Sequence, residues 1–133
     1  MKGLQLFSVL LACFMSSCTQ PASPEEPDLD ASINDKTVYF RQSERFTLKL
    51  DLSADAGYEW EYSISDTHAV RIDSISFAPK SGNWNQVGGT TVETFFFCAA
   101  HMGRSVIDLQ ERRRWEQSVP AIHAIRFTVL VIR

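Results

Sequence analysis

Cysteine is too scarce in this sequence to cross-link it. Of the three present, Cys13 and Cys18 lie near the N-terminus, which leaves Cys98 without a partner and excludes an intramolecular disulfide in the body of the chain. Stability has to come from a packed core, and a hydrophobic fraction of 44% with nine Phe supplies the material for one. Histidine is equally sparse. His68, His101 and His123 show no zinc-ligand spacing, and the chain has neither a Gly-x-Ser-x-Gly elbow nor a phosphate-binding glycine loop. Cys98 stands in an apolar run, where a buried and inert thiol is expected rather than a nucleophile. These absences argue against an enzyme, a metal site and a cofactor. A net charge of −3 without a basic stripe excludes nucleic acid as a partner. No apolar run reaches the ~20 residues of a membrane-spanning helix.

The N-terminus reads as an address. Lys2 provides a positive start, Leu4 to Met15 is a short apolar segment, and Met15-Ser16-Ser17-Cys18 resembles the lipobox of bacterial lipoproteins. That resemblance implies a signal peptide over 1–17, lipidation of Cys18, and a membrane partner reached through the lipid anchor. The implied location is the bacterial cell envelope, at the outer membrane or cell surface. An ordinary cleaved signal peptide, or Cys13 in place of Cys18, are the alternative readings. Residues 18–35 follow as an expected disordered tether: Pro21, Pro24 and Pro27 interrupt any helix, and Glu25, Glu26, Asp28, Asp30 and Asp35 keep it solvated.

The remainder, 36–133, alternates with the period of β-strands. Phe46, Leu48, Leu50 and Leu52 alternate with polar residues, and Tyr58, Trp60, Tyr62 and Ile64 repeat the rhythm. Val70, Ile72, Ile75 and Phe77 form a further strand whose parity slips between Ile72 and Ile75, the sign of a bulge. Thr91 to Ala100 carries Phe95-Phe96-Phe97-Cys98, as suits a central strand; Ile107 with Leu109, then Phe127 with Val129 and Val131, mark the last two. With an opening strand near Thr37 to Arg41 this makes about seven, which points to an all-β, immunoglobulin-like β-sandwich, with a small barrel as the other arrangement.

If successive strands run antiparallel, the second, fourth and sixth connections share one end: Ser53 to Gly57, Pro79 to Gly88 and Arg113 to Pro120. They hold the unusual signatures. Gly57 suits a tight turn ahead of Tyr58 and Trp60, which in the plain reading are core residues. Gly88-Gly89 permits close approach of another molecule to the main chain, or is simply a flexible lead into the next strand. Trp115 beside Arg112, Arg113 and Arg114 combines the residue types enriched at interface hot spots, unless the indole folds over the sandwich end. Trp84 poses the same ambiguity.

In this order the three loops resemble the chagasin family of inhibitors of papain-like cysteine peptidases, whose motifs are Asn-Pro-Thr-Thr-Gly-Tyr before an alternating Trp, Gly-x-Gly-Gly, and Arg-Pro-Trp. The resemblance covers roughly Thr37 to Arg133. Gly57, Tyr58 and Trp60 match the first motif, Gly88 and Gly89 the second, and Arg113 and Trp115 the third. Ser53-Ala54-Asp55-Ala56 stands where the family has Asn-Pro-Thr-Thr, Gln86 replaces a glycine, and Arg114 replaces the proline. The resemblance implies a reversible competitive inhibitor whose partner is a papain-like cysteine peptidase. Its first loop, with Asp55 and Ala56 at the tip, would sit over the catalytic cysteine while the others grip the cleft. The alternative is a surface-tethered immunoglobulin-like binding or adhesion module that has lost inhibition.

Overall fold

The alternating segments pair into two sheets. The computed structural model describes residues 25–133, so the leader, Cys18 and the first part of the tether lie outside the described residues. Its strands are β1 (Asp28–Leu29), β2 (Thr37–Arg41), β3 (Arg45–Leu52), β4 (Glu59–Ile64), β5 (Val70–Pro79), β6 (Thr91–Ala99), β7 (Gly103–Arg112) and β8 (His123–Ile132). One sheet has the order β1-β3-β6-β5 and the other β2-β8-β7-β4. All seven expected strands are present, in the β-sandwich that the periodicity implied, and β1 is an eighth.

Period-two patterning decides what is inside. Phe46, Leu48 and Leu50 of β3, Phe95 and Phe97 of β6, Ile107 and Leu109 of β7, and Phe127 and Val129 of β8 meet between the sheets and are almost fully buried. Phe46 stacks on Phe40 at 4.1 Å and on Phe97 at 4.9 Å between ring centroids, so aromatic packing ties both sheets to one centre. β6 lies between β3 and β5, as its apolar run required, and Cys98 is a buried free thiol. The register of β5 against β6 shifts between Ile72 and Ser74, the bulge that the parity slip announced.

The domain begins earlier than residue 36. β1 pairs in parallel with β3, Pro27 accepts a hydrogen bond from the Thr47 N–H at 2.9 Å, and Asp28 binds Thr47 and the Lys49 ammonium. These two partners hold the Asp28 carboxyl below the usual range, the Lys49 hydrogen bond first. A 3-10 turn at Ala31–Ile33, capped by the Asp30 side chain, then buries Ile33 in the core. The stretch 28–35, expected as solvated tether, is therefore part of the sandwich: its acidic residues cap and pair, and one isoleucine anchors it.

Strand direction sets where the connections go. Leu52 at the end of β3 and Pro79 at the end of β5 both lie opposite Thr91 at the start of β6. In the other sheet Glu59 at the start of β4 faces Arg112, and His123 at the start of β8 faces Glu111, near the end of β7. Loop 1 (53–58), loop 2 (80–90) and loop 3 (113–122) consequently leave the same end of the sandwich.

Replacement of Ile33 by Ala should lower the unfolding free energy by about 2 kcal/mol, as for a buried aliphatic side chain. Denaturant titration of the two proteins would show it, and an unchanged midpoint would mean that this segment contributes nothing to the fold.

Candidate functional site

Loop 1 is a single 3-10 turn, Ala54–Ala56, that closes on Gly57. Gly57 sits at φ 79°, a left-handed conformation that only glycine adopts without strain, and its N–H bonds the Ala54 carbonyl at 2.9 Å. The base of the loop is held by Glu111, whose carboxylate accepts from the Ser53 N–H at 2.9 Å and lies 2.6 Å from His123 Nδ1.

Loop 3 closes over loop 1. Arg113 donates Nε–H to the Ala56 carbonyl at 2.9 Å, pairs with Glu116 at 3.2 Å, and holds its guanidinium 4.6 Å from the centre of the Tyr58 ring. The Trp115 indole lies against Gly57 so closely that a Cβ at position 57 would stand 2.4 Å from it. Glycine is thus favoured twice at this position: by the backbone conformation, and because any side chain would push the indole aside. Arg114 reaches back to Glu59 at 2.8 Å. Despite this packing Trp115 remains 69% exposed, so the indole is displayed rather than folded into the sandwich end.

Loop 2 stands apart. Its base is closed by the Lys80 N–H on the Thr90 carbonyl at 2.8 Å, and its turns by Ser81 and Asn83 side chains. No hydrogen bond joins it to loops 1 or 3 among the described residues. Gly88 has φ 77° and nothing of its own fold within 4 Å of where a Cβ would be, so the main chain is open to approach; Gly89 packs near Gln86. Trp84 and Val87, absent from the expected site, are among the most exposed apolar side chains, Val87 at 97%. Two apolar residues displayed on one polar loop are the signal that would have placed them in the site.

Of the expected site residues, Asp55, Ala56 and Gly88 are exposed, while Gly57, Tyr58, Gly89 and Arg113 are half-buried beside them. Trp60 is the correction. It is buried on the inner face of β4, with its indole N–H donating to the Asp51 carbonyl at 3.0 Å, because strand parity sends Glu59 and Glu61 outward and Trp60 in. It supports the loops from below, and the little of it that stays exposed lines the cleft beneath them rather than the displayed edge.

Under the loops lies an open cleft of 430 Å³, bounded by Tyr58, Trp60, Phe77, Trp115, Glu59 and Glu93 among others. Glu93, on the inner face of β6, is 4% exposed. Burial first, then the neighbouring charges of Glu59 and Glu111, push its carboxyl up to about 7.

With this geometry in place, comparison with known proteins assigns the chain. Residues 39–129 match the Chagasin family peptidase inhibitor I42. The chain belongs to the chagasin family. None of the curated protein sequences is similar enough to match it. Among solved structures it resembles the cysteine protease inhibitor EhICP2 from Entamoeba histolytica, with a TM-score of 0.72 at 15% identity over 83% of this chain and 100% of that one. The solution structure of amebosin gives a TM-score of 0.65 at 17% identity, over 80% of this chain and 98% of the other. PbICP-C, solved in complex with falcipain-2, gives 0.50 at 13% identity, over 79% and 97%. At such identities these likenesses establish a shared fold.

Two outcomes test the site's physics. Gly57→Ala should cost about 1–3 kcal/mol through left-handed strain and displacement of Trp115, read as lower thermal stability with faster hydrogen exchange at position 57 and at Tyr58. Separately, Glu93 is raised in the fold, so folding favours its protonated form: that contribution is complete below its ordinary value of 4.5 and is lost as pH rises to about 7. Stability should fall over that window by up to roughly 3 kcal/mol, and Glu93→Gln should flatten the slope in denaturant titrations across pH.

Proposed function

We propose that this member of the chagasin family is a reversible, competitive inhibitor of papain-like cysteine peptidases that docks loops 1, 2 and 3 into the active-site cleft. The observation that carries this reading is the pre-assembled edge made by loops 1 and 3. The Arg113 bond to Ala56 and the packing of Trp115 on Gly57 hold the two loops together before any partner arrives, while leaving the indole displayed. Docking such an edge costs little conformational entropy, because its side chains are already placed.

Each loop then has a part. Asp55 and Ala56, exposed at the tip of loop 1, stand over the catalytic cysteine and deny it to substrate. Gly88 and Gly89 bring main-chain groups against one wall of the cleft, with Trp84 and Val87 adding apolar surface. Trp115 buries against the other wall. Support comes from the family, which consists of peptidase inhibitors, and from the shared fold: EhICP2 is described as a cysteine protease inhibitor, and PbICP-C was solved bound to falcipain-2. On the same reading Cys18 carries a lipid that anchors the inhibitor in the bacterial cell envelope, at the outer membrane or cell surface.

The folded protein should inhibit at least one member of a panel of papain-like peptidases, with inhibition relieved by excess substrate. Trp115→Ala should weaken it by about 2 kcal/mol, close to thirtyfold in the inhibition constant, without changing the circular dichroism spectrum. A folded protein that inhibits nothing in the panel would instead favour a binding module that keeps the scaffold without the activity.

A further inference from the structure

The cleft beneath loops 1 and 3 has a chemistry that the inhibitor reading does not use. It opens between the edge strands β4 and β5, where the sheets part, and its walls are aromatic: Tyr58, Trp60, Trp115, and Phe77 at half exposure. Into it faces Glu93, directly across from Phe77 on the neighbouring strand. A carboxyl this buried ordinarily has a cation or several donors beside it. Among the described residues Glu93 has neither: its oxygens reach solvent through the cleft, and its charged neighbours are Glu59 and Glu111. The cations nearby are committed elsewhere: Arg113 to Ala56, Glu116 and the Tyr58 ring, Arg112 to Gln110 and Glu61, Arg114 to Glu59, and Lys80 to Asp51. Glu111 is answered by Ser53 and His123, so its needs are met without the cleft.

We infer that this cleft is a subsite for an arginine side chain of the docked peptidase, whose guanidinium pairs with the Glu93 carboxylate between Trp115 and Phe77. This assignment rests on the inhibitor reading for its source and on the cleft alone for its chemistry. A planar guanidinium stacks on aromatic faces and gives two parallel donors to one carboxylate, which a point-like ammonium does not. The arriving cation also offsets the repulsion among Glu59, Glu93 and Glu111, so it shifts Glu93 toward its ionised form. The acidic cleft thereby selects among peptidases of similar cleft shape for those with a basic residue at the rim.

Titration of the full-length protein with butylguanidinium, followed by NMR, reads the site without any peptidase. Shifts should concentrate at Trp115, Tyr58 and Phe77, weaken as pH falls below about 7, and be absent with neutral butylurea. Glu93→Gln should reduce the affinity about tenfold or more, and Phe77→Ala should reduce it several-fold at a half-exposed position that the fold tolerates. Equal shifts with butylurea, or undiminished binding to Glu93→Gln, would overturn the cation site. Against an inhibited peptidase, saturating butylguanidinium should weaken inhibition by the wild-type protein and leave Glu93→Gln unaffected. Probe binding without such competition would overturn the partner side chain as the occupant. A panel that is not inhibited at all removes the peptidase as the source, while the NMR titration still decides the site.

Discussion

The indole of Trp115 can lie where it does only because position 57 carries no side chain. That one approach joins the first and third loops, which are separated by more than fifty residues of chain and belong to the links β3–β4 and β7–β8. Gly57 also terminates the 3-10 turn in a left-handed conformation, so the turn that aims the loop tip and the surface that receives the tryptophan are the same residue. Arg113 completes the join by binding the carbonyl just before it. A rigid, partly apolar edge results from one glycine, one arginine and one tryptophan, and the proposed inhibitory surface follows from it.

Beneath this edge the sandwich departs from an apolar interior. The inner faces of β6 and β7 end in Glu93 and Glu111 rather than in leucine or phenylalanine, and the two carboxyls respond differently to burial. Glu111 fixes the base of loop 1 and is satisfied in doing so. Glu93 has no protein partner among the described residues and opens only into the cleft, which costs stability near neutral pH but leaves a charge available beneath an aromatic roof. Stored cost of this kind is commonly found at functional sites, where a partner's group relieves it.

The fold was largely legible because a strand with one buried face writes its orientation into every second residue. Phe46 to Leu52 and Phe127 to Val131 announce their inner faces, and the slip between Ile72 and Ile75 announces its bulge. The docked stretch 28–35 was not legible, since its prolines and acids have the composition of a tether and only Ile33 carries its anchorage. Trp60 shows the converse. A motif match placed it at the surface, although the alternation it stands in had already sent it inward.

The sequence by itself determined the sandwich, the number of its principal strands, the sharing of one end by the three loops, and the residues Gly57, Arg113 and Trp115 as the material of a site. Only the tertiary structure decided how that material is used. Local periodicity reports which face a residue occupies but not what lies across from it. The contact of Trp115 with Gly57, the bond from Arg113 to Ala56, the exposure of Trp84 and the placement of Glu93 among two other carboxylates all join distant segments. They exist only once both sheets are packed and the loops have come to rest against each other.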